Sequence, residues 1–447
     1  SEPSPGGPPA DRADGAGPFL RLALVVAAVV VVAAVTHHVD LLIVVAALAA
    51  MIMLHEGGHF ATAKWGHMKV TEYFLGFGPR VWSFRRGETE YGIKAIPAGG
   101  YVKIVGMSNL EKVPEQDEPR TYRQAPFRRR LSVAVAGSVV HYILAFLLLW
   151  AVFAFLPVFN THQVAVAHLD PFAHRESPAQ LAGFKSGDVF VSVDGQQVSS
   201  VNGVANIIEA HPGQGLTVVV DRHGHPVTLH VTPVSASSVQ LQGGAAAGSS
   251  LPAGADGIIG VALANPEVRY NPATAVALGA QQTWHLTTAT VNGVVGIFSP
   301  TGIHSFVGQI VGSPPSGSQP ATASPGGSGA GSGSAPSPST SNRLISIFGA
   351  ARIATQAAHA GIAPLLVLLA DINVAIGLFN MFPMLPLDGG HVVIALYERL
   401  RSRRGRRHHA DVAKLLPAVY AVFFLLIVIG VSTLYLDIVH PIPNPFH

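Results

Sequence analysis

The segment His55-Glu56-Gly57-Gly58-His59 decides how this chain is interpreted. It ends a run from Leu41 to Leu54 that contains no charged residue. Residues four apart share one face of a helix, so the two imidazoles can bind one zinc ion while the adjacent glutamate serves as general base. At the end of an apolar run, the motif predicts a hydrolytic centre inside or at the edge of a membrane span, where ionisable side chains are costly and usually functional. The alternative is a pair of histidines that end a helix near lipid headgroups.

The composition favours a multi-span membrane protein with extramembrane parts. Hydrophobic residues make up 49% of the 447 residues and charged residues 12%, about half the charged fraction of a typical globular protein. The net charge of +3 gives no reason to expect nucleic acid as a partner. Cysteine is absent, so disulfides are excluded and a metal site must use His, Asp or Glu.

Apolar segments predict five membrane spans, because a span needs about 20 apolar residues. They lie at 19–36, at 40–65 with the zinc motif, at 131–158, within 343–397, and at 412–437. The span within 343–397 runs from Ile362 to Leu387 and is interrupted by prolines. Residues 1–18 and 313–342 are predicted to be disordered and 236–256 to be a linker, because their composition cannot form a core. Residues 257–312 are predicted to be a helical region, either on the membrane surface or packed on a soluble domain.

Clustered arginines predict the orientation, because cytoplasmic loops carry an excess of basic residues. The clusters lie between the second and third spans and in a basic loop at 398–411, and comprise Arg85, Arg86, Arg123, Arg128, Arg129, Arg130, Arg399, Arg401, Arg403, Arg404, Arg406 and Arg407. Both loops are therefore predicted to be cytoplasmic. The N-terminus is then cytoplasmic as well, and residues 160–342 face outward.

Catalytic zinc usually has three protein ligands and a water. Asp388, in the segment NMFPMLPLDGG at 380–390, is the best third candidate, because the predicted orientation places it on the same side as His59. Prolines in this segment unwind a helix, and irregular backbone at membrane depth is tolerated only inside protein or beside a wet cavity. The alternative is an ordinary helix end followed by a turn.

These motifs resemble those of the bacterial site-two proteases, which are intramembrane zinc metalloproteases. The resemblance rests on His-Glu-Gly-Gly-His, on Asn380-x-x-Pro383 with Leu387-Asp388-Gly389, on Gly87 to Lys103, and on Ser177 to Val189 with Asp194-Gly195, which is similar to the family's PDZ domain. It implies an α-helical multi-span membrane protein of the bacterial inner membrane, with four family-type spans plus one extra N-terminal span. It also implies a cytoplasmic-side, membrane-associated β-hairpin region at 66–130 and an extracytoplasmic PDZ-like α+β domain at 160–235.

The resemblance also implies residue roles. His55, His59 and Asp388 would hold Zn2+, and Glu56 would be the general base that later protonates the leaving amine. The implied substrate is a single-pass membrane protein, for example an anti-sigma factor, that another protease has first shortened outside. The implied substrate-binding residues are Asn380, Pro383, Gly99, Gly100, Tyr101 and Val102. From the residues themselves, Gly99-Gly100 between Ile93–Ile96 and Tyr101–Ile104 is more simply a hairpin turn.

Two questions stay open from the sequence, each with three possible answers. His141 stands where the family commonly has asparagine, so it is a substitute contact, an accessory metal ligand or a helix-packing substitution. The chain as a whole is a protease, an inactive PDZ-bearing membrane scaffold, or a metal transporter. The last two have no need of Glu56 beside the two histidines, which favours the protease.

Overall fold

The computed structural model describes residues 16–37, 39–107, 111–172, 176–239, 257–311, 346–402, 410 and 412–439. These residues form two compact units. The helical unit runs to Ala151 and resumes at Ala275, and the sheet unit covers Val152–Thr274.

The elements follow one another in a simple order. The first part contains α1 (Ala16–Val35), α2 (Val39–Trp65), β1 (Val70–Arg86), β2 (Thr89–Ile104) and α3 (Phe127–Phe155). The middle contains β3 (Val158–Phe159), β4 (Val164–Leu169), α4 (Pro178–Ala182), β5 (Val189–Val193), β6 (Gln196–Gln197), α5 (Val201–Glu209), β7 (Leu216–Arg222), β8 (His225–Val231), β9 (Val234–Ser235), β10 (Gly257–Ile258), β11 (Val261–Ala264) and β12 (Glu267–Val268). The last part contains α6 (Pro272–Ile297), α7 (Pro300–Val311), α8 (Ile347–Ala360), α9 (Ile362–Asn380), α10 (Asp388–Arg401) and α11 (Leu416–Val439).

Four helices in the described parts of the chain are long and apolar enough to cross a membrane, namely α2, α3, α9 and α11. Among the described residues of α1, Val26–Val35 forms an apolar stretch that is shorter than a span. The extra N-terminal span at 19–36 therefore stays a prediction.

The predicted fourth span is too long at its C-terminal end. The helix stops at Asn380 rather than Leu387, and α10 starts afresh at Asp388. Pro383 and Pro386 explain the break, because proline has no N–H to donate and disfavours helix in the residue before it. Asp388 is consequently the first residue of a new helix rather than the end of an old one.

Two cores hold the elements around the zinc motif. An apolar core joins α2, α8 and α9 through Val44, Met51, Ala354, Ala357, Leu365 and Leu369. A second core joins the end of α2, the two long strands and the start of α3 through Ala63, Met68, Val70, Ile104, Tyr122 and Val133. The motif helix α2 is thereby packed both before and after His55–His59 along its length.

The long strand β1 pairs twice with β2. Tyr73 lies opposite both Tyr91 and Val102. The chain thus places β1 between two segments of β2, and no further described strand pairs with Gly100–Ile104. The hairpin-turn interpretation of Gly99-Gly100 is therefore wrong. Gly99, at φ +140°, lies where the chain passes from one side of β1 to the other.

The sheet unit is an antiparallel sheet in the order β11-β4-β5-β7-β8, with β6 paired to β5. Its core includes Val164, Phe190, Val204, Val218 and Val231. The predicted helical region 257–312 is wrong over its first part, because β11 pairs with β4 and completes this sheet. Open backbone groups along β4 supply the partners that make a strand there, and helix begins only at Pro272.

Several predictions fall largely outside the described residues. Residues 1–15, 240–256, 312–345 and 403–409 belong to this group, and with them most of the predicted disordered segments, the linker and the basic loop. Where these predictions reach described residues, residues 16–18 begin α1 and Ala236–Ser238 form a short 3-10 turn.

Candidate metal centre

Three predicted ligands from two helices meet at one point. His55 and His59 lie on the last turns of α2, and Asp388 begins α10. The Nε2 atoms of the two histidines lie 3.2 Å apart. Asp388 Oδ2 lies 3.5 Å from His55 Nε2 and 3.3 Å from His59 Nε2.

This triangle has the dimensions that zinc requires. Tetrahedral bonds of about 2.0–2.1 Å to nitrogen and oxygen place any two ligand atoms about 3.3 Å apart. Both histidines are buried, at 8% and 5% exposure. Asp388 Oδ2 is also buried, and within the described residues it accepts no hydrogen bond. Two imidazoles and an otherwise unsatisfied carboxylate oxygen fit a zinc ion, and the open fourth position suits a catalytic site.

A backbone carbonyl on α3 orients His59. Nδ1 of His59 donates to the carbonyl oxygen of Val133 at 2.7 Å. A carbonyl can only accept, so the proton resides on Nδ1 and the lone pair of Nε2 faces the triangle. Such outer partners of a ligating histidine fix its tautomer and its ring orientation.

The His55 ring packs against Gly137 of α3, in the space that a larger side chain would fill. A Cβ at Gly137 would overlap the His55 ring, with Nδ1 only 2.5 Å away. A Cβ at Gly58 would in turn meet the carbonyl oxygen of Ala136 at 2.9 Å. Small residues let two apolar helices approach this closely, and the close approach sets the position of the His55 ring.

Asp388 is placed by the tight turn before it. A Cβ at Gly390 would meet Leu385 N at 2.6 Å. A Cβ at Gly389 would meet the backbone of Met381 and Phe382 at an even shorter distance. Further along α10, Glu398 accepts a hydrogen bond from buried Arg130 of α3 at 2.5 Å. The turn and this ion pair hold α10 against the same helix that orients both histidines.

Glu56 faces the outer segment of β2. The backbone N–H of Val102 lies near the Glu56 carboxylate. A Cβ at Gly100 would meet Glu56 Cγ at 3.2 Å. The segment Gly100–Val102 therefore lies directly beside the predicted base.

The remaining predicted substrate residues lie in two places. Gly99 and Tyr101 belong to β2, where the Tyr101 hydroxyl donates to Glu72 and accepts from Lys94. Asn380 ends α9, and Pro383 lies in the turn before α10. Both groups lie beside elements that carry the candidate metal ligands. The Tyr101 hydroxyl, however, is already hydrogen-bonded to side chains of β1 and β2.

His141 lies next to the triangle without being part of it. Its ring centroid is 5.0 Å from that of His55, and its Nδ1 donates to Asn373 Oδ1 at 2.7 Å. Asn373 Nδ2 donates to Leu369 O at 2.8 Å. The group able to hold an ion, as far as the structure describes the chain, is His55, His59 and Asp388, which favours the packing interpretation of His141.

An ion cluster outside the spans ties the β1–β2 turn to its surroundings. Glu88 accepts from Arg120 through both oxygens at 2.8 Å and from Lys64 at 2.7 Å. The hydrogen bonds from Arg120 lower the pKa of Glu88 from 4.5 to about 2, with Lys64 adding to the effect. The cluster joins the end of α2 to the segment that leads into α3.

The sequence did not reveal three of these contributors. Val133, Gly137 and Arg130 act through contacts between distant segments, which no local motif encodes. Gly137 carried the one available signal, since a glycine inside a helix is unfavourable and usually has a packing reason.

Comparisons with known proteins agree with this site. Residues 43–322 and 332–427 match the family described as Peptidase family M50. The chain is 33% identical over 414 residues to Zinc metalloprotease Rip1 of Mycobacterium tuberculosis, across 88% of this chain and 95% of that protein. It is 30% identical over 416 residues to Zinc metalloprotease Rip1 of Mycolicibacterium smegmatis, across 88% of this chain and 95% of that protein. It is 28% identical to a putative zinc metalloprotease of Rhizobium meliloti, across 79% of this chain and 85% of that protein. The chain therefore belongs to peptidase family M50, the site-two protease family, and is a zinc metalloprotease with several membrane-spanning helices.

Proposed function

We propose that this protein is an intramembrane endopeptidase that cleaves the transmembrane helices of single-pass membrane proteins. Anti-sigma factors are one candidate class, cut after another protease has made a first cut outside. One observation carries the proposal: the metal triangle is built on α2 and on the first residue of α10, which follows α9. Both α2 and α9 are long and apolar enough to span a membrane. A hydrolytic site at that place is suited to a peptide bond that lies in or near the bilayer.

In this proposal His55, His59 and Asp388 are the zinc ligands. Bound zinc polarises the scissile carbonyl and lowers the pKa of water. Glu56 accepts the proton of the attacking water and returns it to the amine that leaves. The Val102 N–H lies near the Glu56 carboxylate, and its proposed role is to donate to that carboxylate and orient it for both transfers.

Cleavage requires an extended substrate, because a helix engages its carbonyls in its own hydrogen bonds. The Gly100–Ile104 segment is an outer strand in the described part of the chain, and strand addition to such an edge can replace the lost bonds. Asn380 and Pro383 lie where the substrate backbone would pass the end of α9. In this proposal, Asn380 forms a hydrogen bond with the substrate, and Pro383 contributes the kinked backbone beside it.

We place the N-terminus and the basic loops in the cytoplasm of a bacterial cell with the inner membrane around the helices, and the sheet unit outside. The sheet unit, with two short helices on a five-strand order, supports a PDZ-like assignment. Its role in this proposal is to exclude substrates that still carry a bulky outer domain. Deleting Pro178–Pro233 should then allow cleavage of an untrimmed substrate, and a continued need for trimming would show that exclusion lies elsewhere.

An inactive scaffold is the second candidate. A scaffold would use the sheet unit alone and would have no need of a half-buried base beside three convergent ligand atoms. A metal transporter would also lack a use for Glu56 and for an open strand edge beside it. The site geometry therefore favours hydrolysis.

The test uses purified wild type and Glu56→Gln, each reconstituted in liposomes with a single-pass model substrate. Wild type should cut within the substrate's membrane segment. Glu56→Gln should retain zinc and lose cleavage by about 10² to 10⁴, the usual contribution of a general base. Wild-type-like cleavage by Glu56→Gln would contradict the mechanism, and zinc binding without any cleavage by wild type would favour the scaffold.

A further inference from the structure

Asp371 is an acidic residue in the middle of a span-length helix. It lies halfway along α9, and no other residue of that helix is charged. A helix of this length spans about 28 Å, close to the roughly 30 Å of bilayer hydrocarbon. A bilayer around α9 would therefore have the carboxyl near its midplane, where ionisable groups are rare and mark function.

The fold makes no use of this carboxyl. Asp371 is exposed, whereas Ala370, Asn373 and Val374 around it are buried. No hydrogen bond or ion pair reaches it from the described residues. A bare carboxyl on the outer face of a span is unfavourable in hydrocarbon, so a partner outside this fold is expected.

The exposed carboxyl lies at the level of the metal centre. Asn373, two residues further along α9, bonds to His141, whose ring lies beside that of His55. Residues two apart on a helix point about 200° apart. Asp371 is thus on the opposite face of α9 from the metal centre and at nearly the same depth.

We propose that Asp371 is a docking site for a substrate's transmembrane helix that carries Lys or Arg near its middle. The argument is charge complementarity: a basic side chain at midplane depth is as unfavourable alone as the carboxyl, and pairing relieves both. Val367, Ala375 and Leu378 lie on the same face and supply an apolar surface for the helix. The inference rests on the proposed function in one respect, namely that the docked helix is a substrate.

The test uses site-specific crosslinking, which the lack of native cysteine makes clean. Ala375→Cys is placed in the Glu56→Gln background and reconstituted with three single-span peptides that differ only in Lys, Leu or Glu at the middle position. The Lys peptide should crosslink roughly tenfold more than the Leu peptide, as expected for one interhelical polar contact. Asp371→Asn should abolish the preference, and Asp371→Lys should transfer it to the Glu peptide.

A matched control is Asp437→Asn in α11. Asp437 is also a carboxylate in a span, but it is buried and accepts from Ser346 N at 2.7 Å. This variant should keep the Lys preference. Equal crosslinking of all three peptides would overturn the inference, and so would crosslinking of the chain to a second copy of itself in place of the peptide.

Cleavage by the Glu56-containing protein separates this inference from the proposed function. If no peptide is cut while the Lys preference holds, the proposed function fails and the docking site stands as a binding site. If all three are cut at equal rates and crosslink equally, the proposed function stands and the docking site fails.

Discussion

His59 Nε2 and Asp388 Oδ2 lie 3.3 Å apart, although one residue lies in the C-terminal half of an early helix and the other begins a late one. The metal group exists only while α2, α3 and α10 are packed together. Zinc content is therefore a readout of tertiary structure around the site as well as of ligand identity.

Gly137→Ala should lose zinc and activity without altering any ligand. The new methyl group would overlap the His55 ring, and because an interior is close-packed, the ring must move out of the triangle. We expect at least roughly tenfold lower activity, consistent with the effect of outer-shell changes on metal sites. Elemental analysis and cleavage assays measure both effects.

The matched control is Gly430→Ala in α11, where nothing lies within 4 Å of the added Cβ. It should retain zinc and activity, because alanine is also the better helix former. Full zinc occupancy in Gly137→Ala would show that the His55 ring tolerates displacement and that the α2–α3 packing does not set the site.

The convergence of the three candidate ligands was largely predictable because two of them form a local pair. His55 and His59 are a helical i, i+4 pair, and Asp388 followed from counting spans between two basic loops. The contacts that orient these ligands were not predictable, since the Val133 carbonyl and Gly137 belong to another helix. Ligand identity is thus encoded in short motifs, whereas ligand orientation is encoded in packing.

The fold was predictable where hydrophobicity dominates and not where strand pairing does. The apolar helices around the motif are present, but Pro383 ends α9 earlier than the apolar pattern suggested. The double pairing of β1 and the addition of β11 to the sheet depend on partners far along the chain. Sequence periodicity carries no information on which edge a strand will choose.

Val102→Pro should retain zinc and slow cleavage. Proline has no N–H, so the variant loses the donor that lies near the Glu56 carboxylate. Slower cleavage is expected even for a flexible substrate with Gly or Pro near the cut. If the outer strand also pairs with substrate, a rigid helical substrate should lose more.

The measurement compares cleavage rates of the flexible and helical substrates at equal zinc content. A loss confined to the helical substrate would assign Val102 to pairing and not to Glu56. Unchanged rates on both substrates would show that this segment has no part in catalysis.

Glu88→Gln should destabilise the protein in a pH-dependent way. The folded-state pKa of Glu88 is about 2, below the ordinary 4.5. Its stabilising contribution is therefore present above the ordinary value and is lost as the pH falls from about 4.5 through about 2. For this partly exposed cluster we expect about 1 kcal/mol after solvent screening.

Thermal unfolding of the detergent-solubilised protein tests this. The difference in Tm between wild type and Glu88→Gln should be constant from pH 7 to pH 5 and should shrink at lower pH. A difference that grows on acidification would contradict the assigned direction of the pKa shift.

The proposed orientation is testable by cysteine labelling in intact cells, since the chain contains no native cysteine. Gln196→Cys, in the exposed short strand β6, should react with a membrane-impermeant reagent from outside. Ser402→Cys, just after α10, should react only after the membrane is permeabilised. The reverse pattern would invert the topology.

The zinc content of purified Asp388→Ala tests the central claim most directly. Elemental analysis of this variant should be run beside wild type and Glu56→Gln, which should each hold about one zinc per chain. Asp388→Ala removes one corner of the triangle and should lose most of its zinc together with cleavage. Full zinc occupancy in Asp388→Ala would contradict the account, because the third ligand would then be another residue.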